Sequence, residues 1–310
     1  MQVITVRIGT RGSPLAQAQA HQVRGLLMGA HGLPVERFAI CVIKTAGDQI
    51  LDRPLSEVGG KGLFTKEIED ALSSKEIDLA VHSAKDMSTK LPDGLAIGAV
   101  LEREDVRDAF ISLKYGSLAE MPAGAVVGTS SLRRQAQVKR ARPDVQIVGF
   151  RGNVQTRLAK LEAGVADATF LATAGLKRLG QAERITRMVP VDEMLPAVAQ
   201  AAIAIEIRAD DAGTRALVAP LDHRSTAICL EAERAFLGRL DGSCRTPIAG
   251  LARIEDGELR FTGEILLPDG SDSKAFGNSG SVTQAAQCGD ACAKRLIEMA
   301  GPEFMRRLVS

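Results

Sequence analysis

Residues 125–163 read AVVGTSSLRRQAQVKRARPDVQIVGFRGNVQTRLAKLEA, and the grammar of this stretch decides the fold class. Ala125 to Gly128 is a short apolar, β-prone run. Ser130 or Ser131 then caps a helix that runs to about Ala141, and Pro143 stops it. Val145 to Phe150 is the next strand and Asn153 to Ala163 the next helix. Ala168 to Ala172 and Gly175 to Leu179 repeat the pair. Such alternation predicts parallel sheets with helices on both faces.

Upstream the same grammar holds. Val3 to Ile8 is β-branched, and Ser13-Pro14 supplies an N-cap and first-turn proline for a helix through about Met28. Phe38 to Ile43, Asp78 to Val81 and Leu95 to Val100 read as strands, with a helix from about Thr65 to Ser73. The charged run Glu102-Arg103-Glu104-Asp105 reads as a crossing between two α/β domains. Beyond Leu221 the pattern changes. A helix from Ala227 to Leu240 precedes a loop carrying Cys244. Gly250 to Ile254 and Leu259 to Leu267 then flank Asp256-Gly257, a hairpin signal, and Asp269-Gly270 marks a second turn. A last helix spans about Val282 to Met299, giving a small α+β domain.

Composition narrows the function. The 310 residues are 45% hydrophobic and 25% charged, as in ordinary globular chains. Aromatics make up 3%, without tryptophan, so an aliphatic core is expected, and the scarcity argues against single-stranded nucleic-acid binding, which uses aromatic stacking platforms. A net charge of +1 gives no steer toward nucleic acid or membrane, and any cationic site must arise by local clustering. No apolar run is long enough to span a bilayer, and the first nine residues read as a strand rather than a secretory leader. The five cysteines form no CxxC pair. Cys41 and Cys229 read as core thiols, and Cys288 and Cys292 share a helix face without further ligands, so no metal site is expected. This usage fits a reducing, cytoplasmic setting.

Local clustering is what the chain offers. Arg133 and Arg134 lie in the first turn of a helix, behind Thr129-Ser130-Ser131. Two cations there oppose the helix dipole, and an anionic ligand would resolve the conflict. The plainer reading is a solvated basic face continued by Lys139, Arg140 and Arg142. Arg151 and Gly152 follow the next strand, with Arg157 one turn into its helix; Arg11 and Ser83-Ala84-Lys85 follow two earlier strands. Open α/β sheets bind ligands at these carboxyl ends. Gly59-Gly60-Lys61-Gly62 lacks the Ser or Thr of a phosphate loop and reads as a loop presenting Lys61 to an anion. Asp86 is either a cap or ion-pair partner, or a carboxylate set among cations to stabilise a developing cation or to shuttle a proton. His82 reads as structural.

In order along the chain, RIGTRGSPLA, VGGKGLFTKEIE, DLAVHSAKDM, EREDVRDAF, VGTSSLRRQAQ, RGNVQTRLAKL, LATAGLKRLG, LPAVAQAAIAIE and GSCRTP resemble the porphobilinogen deaminase (hydroxymethylbilane synthase) family between residues 7 and 247. The resemblance implies an α/β fold: two periplasmic-binding-protein-like α/β domains flanking a cleft, plus a small C-terminal α+β domain with an antiparallel sheet. Domain 1 would be residues 1–101 with 198–220, domain 2 residues 102–197, and domain 3 residues 221–310. It implies a monomeric transferase of tetrapyrrole (haem-type) biosynthesis that joins four porphobilinogen molecules, with release of ammonia, to hydroxymethylbilane. The primer would be a dipyrromethane cofactor, built from substrate units and held by a thioether to Cys244. Asp86 would be catalytic. Ser83, Lys85, Thr129, Ser130, Ser131, Arg133, Arg134, Arg151 and Gly152 would bind the cofactor. Arg11, Ser13, Lys61, Arg151, Arg157 and Gln200 would bind substrate, the arginines through its carboxylates. Neither nucleic acid nor membrane is an expected partner.

The chain departs from the family pattern where Ala199-Gln200-Ala201 replaces two glycines around the glutamine, at Ser88, where proline is common, and at Ser243, where glycine is common. Alanine restricts φ relative to glycine, so a stiffer crossing and slower elongation are expected. The competing reading is a non-enzymatic anion-binding module of the periplasmic-binding-protein type, which leaves Asp86 and Cys244 without roles.

Overall fold

The computed structural model of the chain describes residues 5–49, 62–242 and 246–309. In chain order the elements are β1 (Val6–Arg11), α1 (Pro14–His31), β2 (Phe38–Ile43), α2 (Ala46–Gln49), α3 (Lys66–Ser73), β3 (Leu79–Ser83), β4 (Leu95–Val100), β5 (Asp108–Ser112), β6 (Val126–Gly128) and α4 (Leu132–Ala141). They continue with β7 (Gln146–Val148), α5 (Val154–Glu162), β8 (Ala168–Ala172), α6 (Thr173–Arg178), β9 (Arg187–Met188), β10 (Ile203–Arg208) and α7 (Ala212–Val218). Last come α8 (Arg224–Arg239), β11 (Ile248–Glu255), β12 (Glu258–Leu266), β13 (Ser273–Ser281) and α9 (Ala285–Val309). The chain divides into two compact units. The first comprises the described parts of 1–52, 60–104 and 201–227, and the second those of 53–59, 105–200 and 228–310.

The first unit holds a sheet of order β2-β1-β3-β10-β4. Strand β1 runs parallel to β2 and β3, whereas β10 is antiparallel to both β3 and β4. Side chains of β3 alternate: Leu79 and Val81 join Val23 and Leu27 of α1 on one face, while Ala80 joins Ile68 and Leu72 of α3 on the other. This two-residue period, read against the helical period of α1 and α3, is what makes the sheet two-sided. Ser13 caps α1, its Oγ accepting the Ala16 N–H at 3.2 Å, with Pro14 in the first turn.

The second unit repeats the plan with order β7-β6-β8-β5-β9. Strand β6 is parallel to β7 and β8, and β5 is antiparallel to β8 and β9. Phe110 of β5 meets Phe170 of β8 edge to face, ring centroids 5.4 Å apart, on the side covered by Val138 of α4. Ala109 and Ile111 face the other way, toward Leu158 and Leu161 of α5. The same unit contains a three-stranded antiparallel sheet, β11-β12-β13. Asp256 (φ 52°) and Gly257 (φ 80°) both take positive φ, as the two-residue turn between β11 and β12 requires.

Several expectations need correction. Both larger sheets are mixed rather than parallel, because the chain returns through β10 and enters through β5 in the opposite sense. Strands β5, β10 and β13 were not expected. Strand β10 carries a glutamate in an apolar run, and β13 is rich in serine and glycine. Helix α8 starts three residues before the expected Ala227, and α9 runs past Met299 across a break at Gly301-Pro302. Cys41 is half-buried on β2 rather than a core thiol, while Cys229, Cys288 and Cys292 are buried.

Candidate active site

In the first unit the carboxyl ends of β1 and β3 lie side by side, because the two strands are parallel neighbours. Arg11 ends β1, and the Ser13 cap turns the chain into α1. Thr10 secures this turn, donating its hydroxyl to the Ala16 carbonyl at 3.0 Å in a buried position. Ser83 ends β3, where Gln19 Nε2 donates to its Oγ at 2.9 Å. The following tight turn carries Lys85, half-buried, and Asp86. Arg11 Nη1 lies 3.7 Å from Asp86 Oδ2, and its guanidinium stacks 4.1 Å over the Phe64 ring. Arg11, Ser13, Gln19, Phe64, Ser83 and Asp86 line one open pocket of about 60 Å³. The Arg11 and Asp86 side chains keep 20% and 29% of their exposure, so their pairing is worth roughly 0–1 kcal/mol and opens readily to a ligand.

His82 lines the same pocket, with Nε2 3.1 Å from Glu206 Oε2, both nearly without exposure. Glu69 is a further buried carboxylate, and burial pushes its carboxyl above the usual range. The pairing with Glu206 fits the structural role expected of His82, and neither glutamate stands out in the sequence, since each sits in an ordinary helix or strand pattern.

In the second unit β6 and β7 are parallel neighbours, so their carboxyl ends also share an edge. After β6, Thr129 Oγ1 accepts the Ser131 N–H at 3.2 Å, Ser130 Oγ accepts the Phe150 N–H at 2.9 Å, and Ser131 Oγ caps α4 through the Arg134 N–H at 3.4 Å. Each hydroxyl spends a lone pair on backbone and keeps its proton to donate. After β7 come Arg151, half-buried, and Gly152, whose φ of 119° and a would-be Cβ only 2.6 Å from Thr156 Cβ require glycine. Asn153 caps α5, Arg157 Nε donates to the Gly152 carbonyl at 2.8 Å, and Lys160 Nζ to the Arg151 carbonyl at 3.0 Å.

Arg133 and Arg134 are not on a solvated face. They are 4% and 5% exposed and converge on Asp108, a residue that no motif in the sequence marks. Arg133 Nη2 lies 2.7 Å from Asp108 Oδ2, and Arg134 Nη2 2.7 Å from Oδ1. An internal anion thus meets the two cations that oppose the helix dipole. Burial alone would raise the Asp108 carboxyl, but the two guanidiniums outweigh it and hold it far below the usual carboxylate range. Gln200, also buried, donates Nε2 to the Val106 carbonyl at 2.8 Å and to Asp108 Oδ1 at 3.1 Å. It stands between Ala199 (φ 62°) and Ala201 (φ 72°), two alanines in the left-handed region. The Ala199 N–H is fixed to Glu233 Oε2 at 2.5 Å, and Glu233 Oε1 accepts the Ala252 N–H at 2.8 Å.

The remaining two expected residues, Lys61 and Cys244, lie outside the described residues. Among the described residues no group of His, Cys, Asp and Glu could hold a metal ion, and no helix is long and apolar enough to cross a membrane.

Comparison with known proteins bears directly on this geometry. A family model described as porphobilinogen deaminase, dipyromethane cofactor binding domain, matches residues 6–216, and one described as porphobilinogen deaminase, C-terminal domain, matches residues 227–298. A porphobilinogen deaminase of Paracoccus denitrificans is 58% identical over 299 residues, covering 96% of this chain and 96% of its own length. One of Nitrobacter hamburgensis is 54% identical over 301 residues, covering 97% of this chain and 95% of its own. Among solved structures, the methionine binding protein MetQ shares 14% identity at a TM-score of 0.45, over 71% of this chain and 90% of its own. That last likeness decides nothing about function, and the near-full-length enzyme relatives disfavour a bare anion-binding module.

Proposed function

The chain belongs to the porphobilinogen deaminase family, and on that premise we propose that it joins four porphobilinogen molecules head to tail, releasing ammonia at each step, after which water cleaves the chain from its primer as linear hydroxymethylbilane. The observation that carries the residue assignment is the pocket in which Asp86 stands among Arg11, Ser13 and Ser83. Porphobilinogen brings an acetate and a propionate, which Arg11 and Ser13 receive with Lys61; Arg is suited to bidentate carboxylate recognition. Departure of ammonia leaves the substrate cationic, and the Asp86 carboxylate stabilises that charge and holds pyrrole N–H groups in place.

The residues also suit a dipyrromethane. Arg133 Nε is buried without a hydrogen-bond partner among the described residues, a donor that a ligand carboxylate would satisfy. Thr129, Ser130 and Ser131 have hydroxyl protons to give, and Ser83, Lys85, Arg134, Arg151 and Gly152 complete the set that would hold it. Attached to Cys244 by a thioether, the cofactor would supply the free pyrrole carbon that takes the first ring, each later ring joining the one before it. Arg157 orients the incoming carboxylates. Gln200 acts through Asp108 and the Val106 carbonyl, where its amide is engaged.

The reading extends to three domains, at 1–101 with 198–220, at 102–197 and at 221–310, in a monomer working in the cytoplasm without nucleic acid or membrane partners. Cysteine usage without CxxC pairs and a net charge of +1 support the compartment and the partner list.

Intact mass of the purified protein tests this, before and after porphobilinogen, with Cys244→Ser as control. A mass excess of one dipyrrole that depends on Cys244, followed by pyrrole-sized steps, is expected. A bare polypeptide mass that substrate never changes would overturn the proposal.

A further inference from the structure

Asp108 opens β5 at the edge of the second unit's arginine pair and has no exposed surface. Its Oδ1 accepts from Arg134 Nη2 at 2.7 Å, from Arg134 Nε at 3.2 Å and from Gln200 Nε2 at 3.1 Å. Its Oδ2 pairs with Arg133 Nη2 at 2.7 Å. Each arginine is gripped a second time by main chain: Arg133 Nη1 donates to the Leu195 carbonyl at 2.8 Å and Arg134 Nη1 to the Phe170 carbonyl at 2.7 Å. The guanidinium planes are therefore fixed at both ends, which two long flexible side chains at a helix start would not achieve alone. Arg134 has its Nε and both terminal nitrogens engaged inside the protein, whereas Arg133 retains Nε.

Charge makes the arrangement specific. An isolated buried carboxylate costs several kcal/mol in lost hydration, so Asp108 is tolerable only with cations beside it. Two guanidiniums against one carboxylate leave the cluster one positive charge in excess. Buried Glu264 also acts on Arg133 but is paired with Arg140, so the wider group of three arginines and two carboxylates keeps the same excess. That charge is a cost to the free protein which a ligand carboxylate removes. With a neutral residue at 108 the excess would be two charges; with both arginines matched by acids it would be none.

We propose that Asp108 is a positioning residue, which fixes the donor geometry of Arg133 and Arg134 and trims their charge to that of a site for a single ligand carboxylate. The inference rests on the reading above that these arginines receive cofactor carboxylates.

Full-length Asp108→Asn, Asp108→Glu and Arg133→Leu test it together. Folded fraction is read by circular dichroism, cofactor loading by intact mass, and kcat and KM for porphobilinogen on the loaded fraction. Per folded molecule, both Asp108 variants should load roughly tenfold or more slowly than the wild type, because a donor misplaced by about 1 Å forfeits much of its contribution. Once loaded, they should lose more in kcat than they gain in KM, since Arg133 and Arg134 are assigned to the cofactor and not to the substrate. Loading and kcat per folded molecule equal to wild type, with only the thermal midpoint lowered, would make Asp108 a structural residue and overturn the proposal. If Asp108→Asn does not fold, Asp108→Glu, which keeps the buried charge and moves it by one methylene, decides by the same criteria. Normal loading of Arg133→Leu would overturn the arginine reading itself, whatever the Asp108 variants do.

Discussion

Arg11 reaches Asp86 across 3.7 Å while its guanidinium rests on the face of Phe64 at 4.1 Å, so the pocket's cation is steered by an aromatic ring as much as by the carboxylate. Removing the carboxylate should therefore leave Arg11 seated. Asp86→Ala is expected to fold with a stability change below about 1 kcal/mol, as for a partly exposed ion pair. Its kcat should fall by about 10²–10³ or more, the scale of a lost electrostatic stabiliser. Steady-state product formation checks this; near-normal turnover would take Asp86 out of the chemistry.

Phe64→Leu removes the stacking and keeps the charge. A cation–π contact at a half-exposed site is worth about 0.5–1 kcal/mol, so KM should rise roughly two- to fivefold with kcat nearly unchanged. Initial-rate kinetics over a range of porphobilinogen concentrations would reveal the split. A loss confined to kcat would mean that Phe64 serves the reaction and not the seating of Arg11.

Acid should weaken the first unit through Asp78, which accepts the Arg7 main-chain N–H at 2.8 Å and its Nε at 3.0 Å. Burial would raise this carboxyl, but the hydrogen bonds and charge of Arg7 prevail and hold it below the usual range. A folded-state value below the unfolded one, about 3.9, means that the contribution is complete above that pH and is lost as pH falls through the lower folded value. Asp78→Asn should cost about 1 kcal/mol at neutral pH, and the gap to wild type should close on acidification. Urea unfolding at several pH values would measure it; a gap that stays constant to pH 3 would exclude Asp78 as the source.

Alanine in the left-handed region costs about 1–2 kcal/mol, against roughly 0.5–1 kcal/mol for the extra unfolded-state freedom of glycine. Ala199→Gly with Ala201→Gly should accordingly stabilise the protein slightly, by up to about 1 kcal/mol per site. The chain passes from one compact unit to the other between Gln200 and Ala201, so elongation should also quicken. Denaturant midpoints and single-turnover elongation rates check the two effects separately. Unchanged elongation would show that this backbone does not limit the reaction.

Burial pushes the Cys292 thiol up to about 12 and raises Cys288 as well. Since the thiolate is the reactive form, iodoacetamide at pH 8 should leave both unmodified in the native protein and alkylate them in urea. Peptide mass mapping of the two samples would show it, and native labelling at either position would contradict the burial.

Sequence disclosed what local chemistry determines. The cap at Ser13, the cap at Ser130 or Ser131 and the Asp256-Gly257 turn are side-chain or backbone requirements met within a few residues, and the structure meets them, with Ser131 as the second cap. The placement of Arg11, Ser83, Thr129 and Arg151 after strand ends followed from the same alternation. What stayed hidden depends on partners far along the chain. Asp108 pairs with residues 25 and 26 positions away, and nothing in Asp-Ala-Phe-Ile-Ser marks it as a buried anion. The antiparallel sense of β10 is equally non-local, as is the pairing of Glu206 with His82, 124 residues apart.

Tyr115 packs at the edge of the core that Phe110, Met121 and Val127 build in the second unit, and the chain has no tryptophan and no other tyrosine. The tyrosine fluorescence of this protein is therefore a single-site signal. During unfolding it reports the second unit alone, while circular dichroism reports both, so a difference between the two transitions would separate the units without any label.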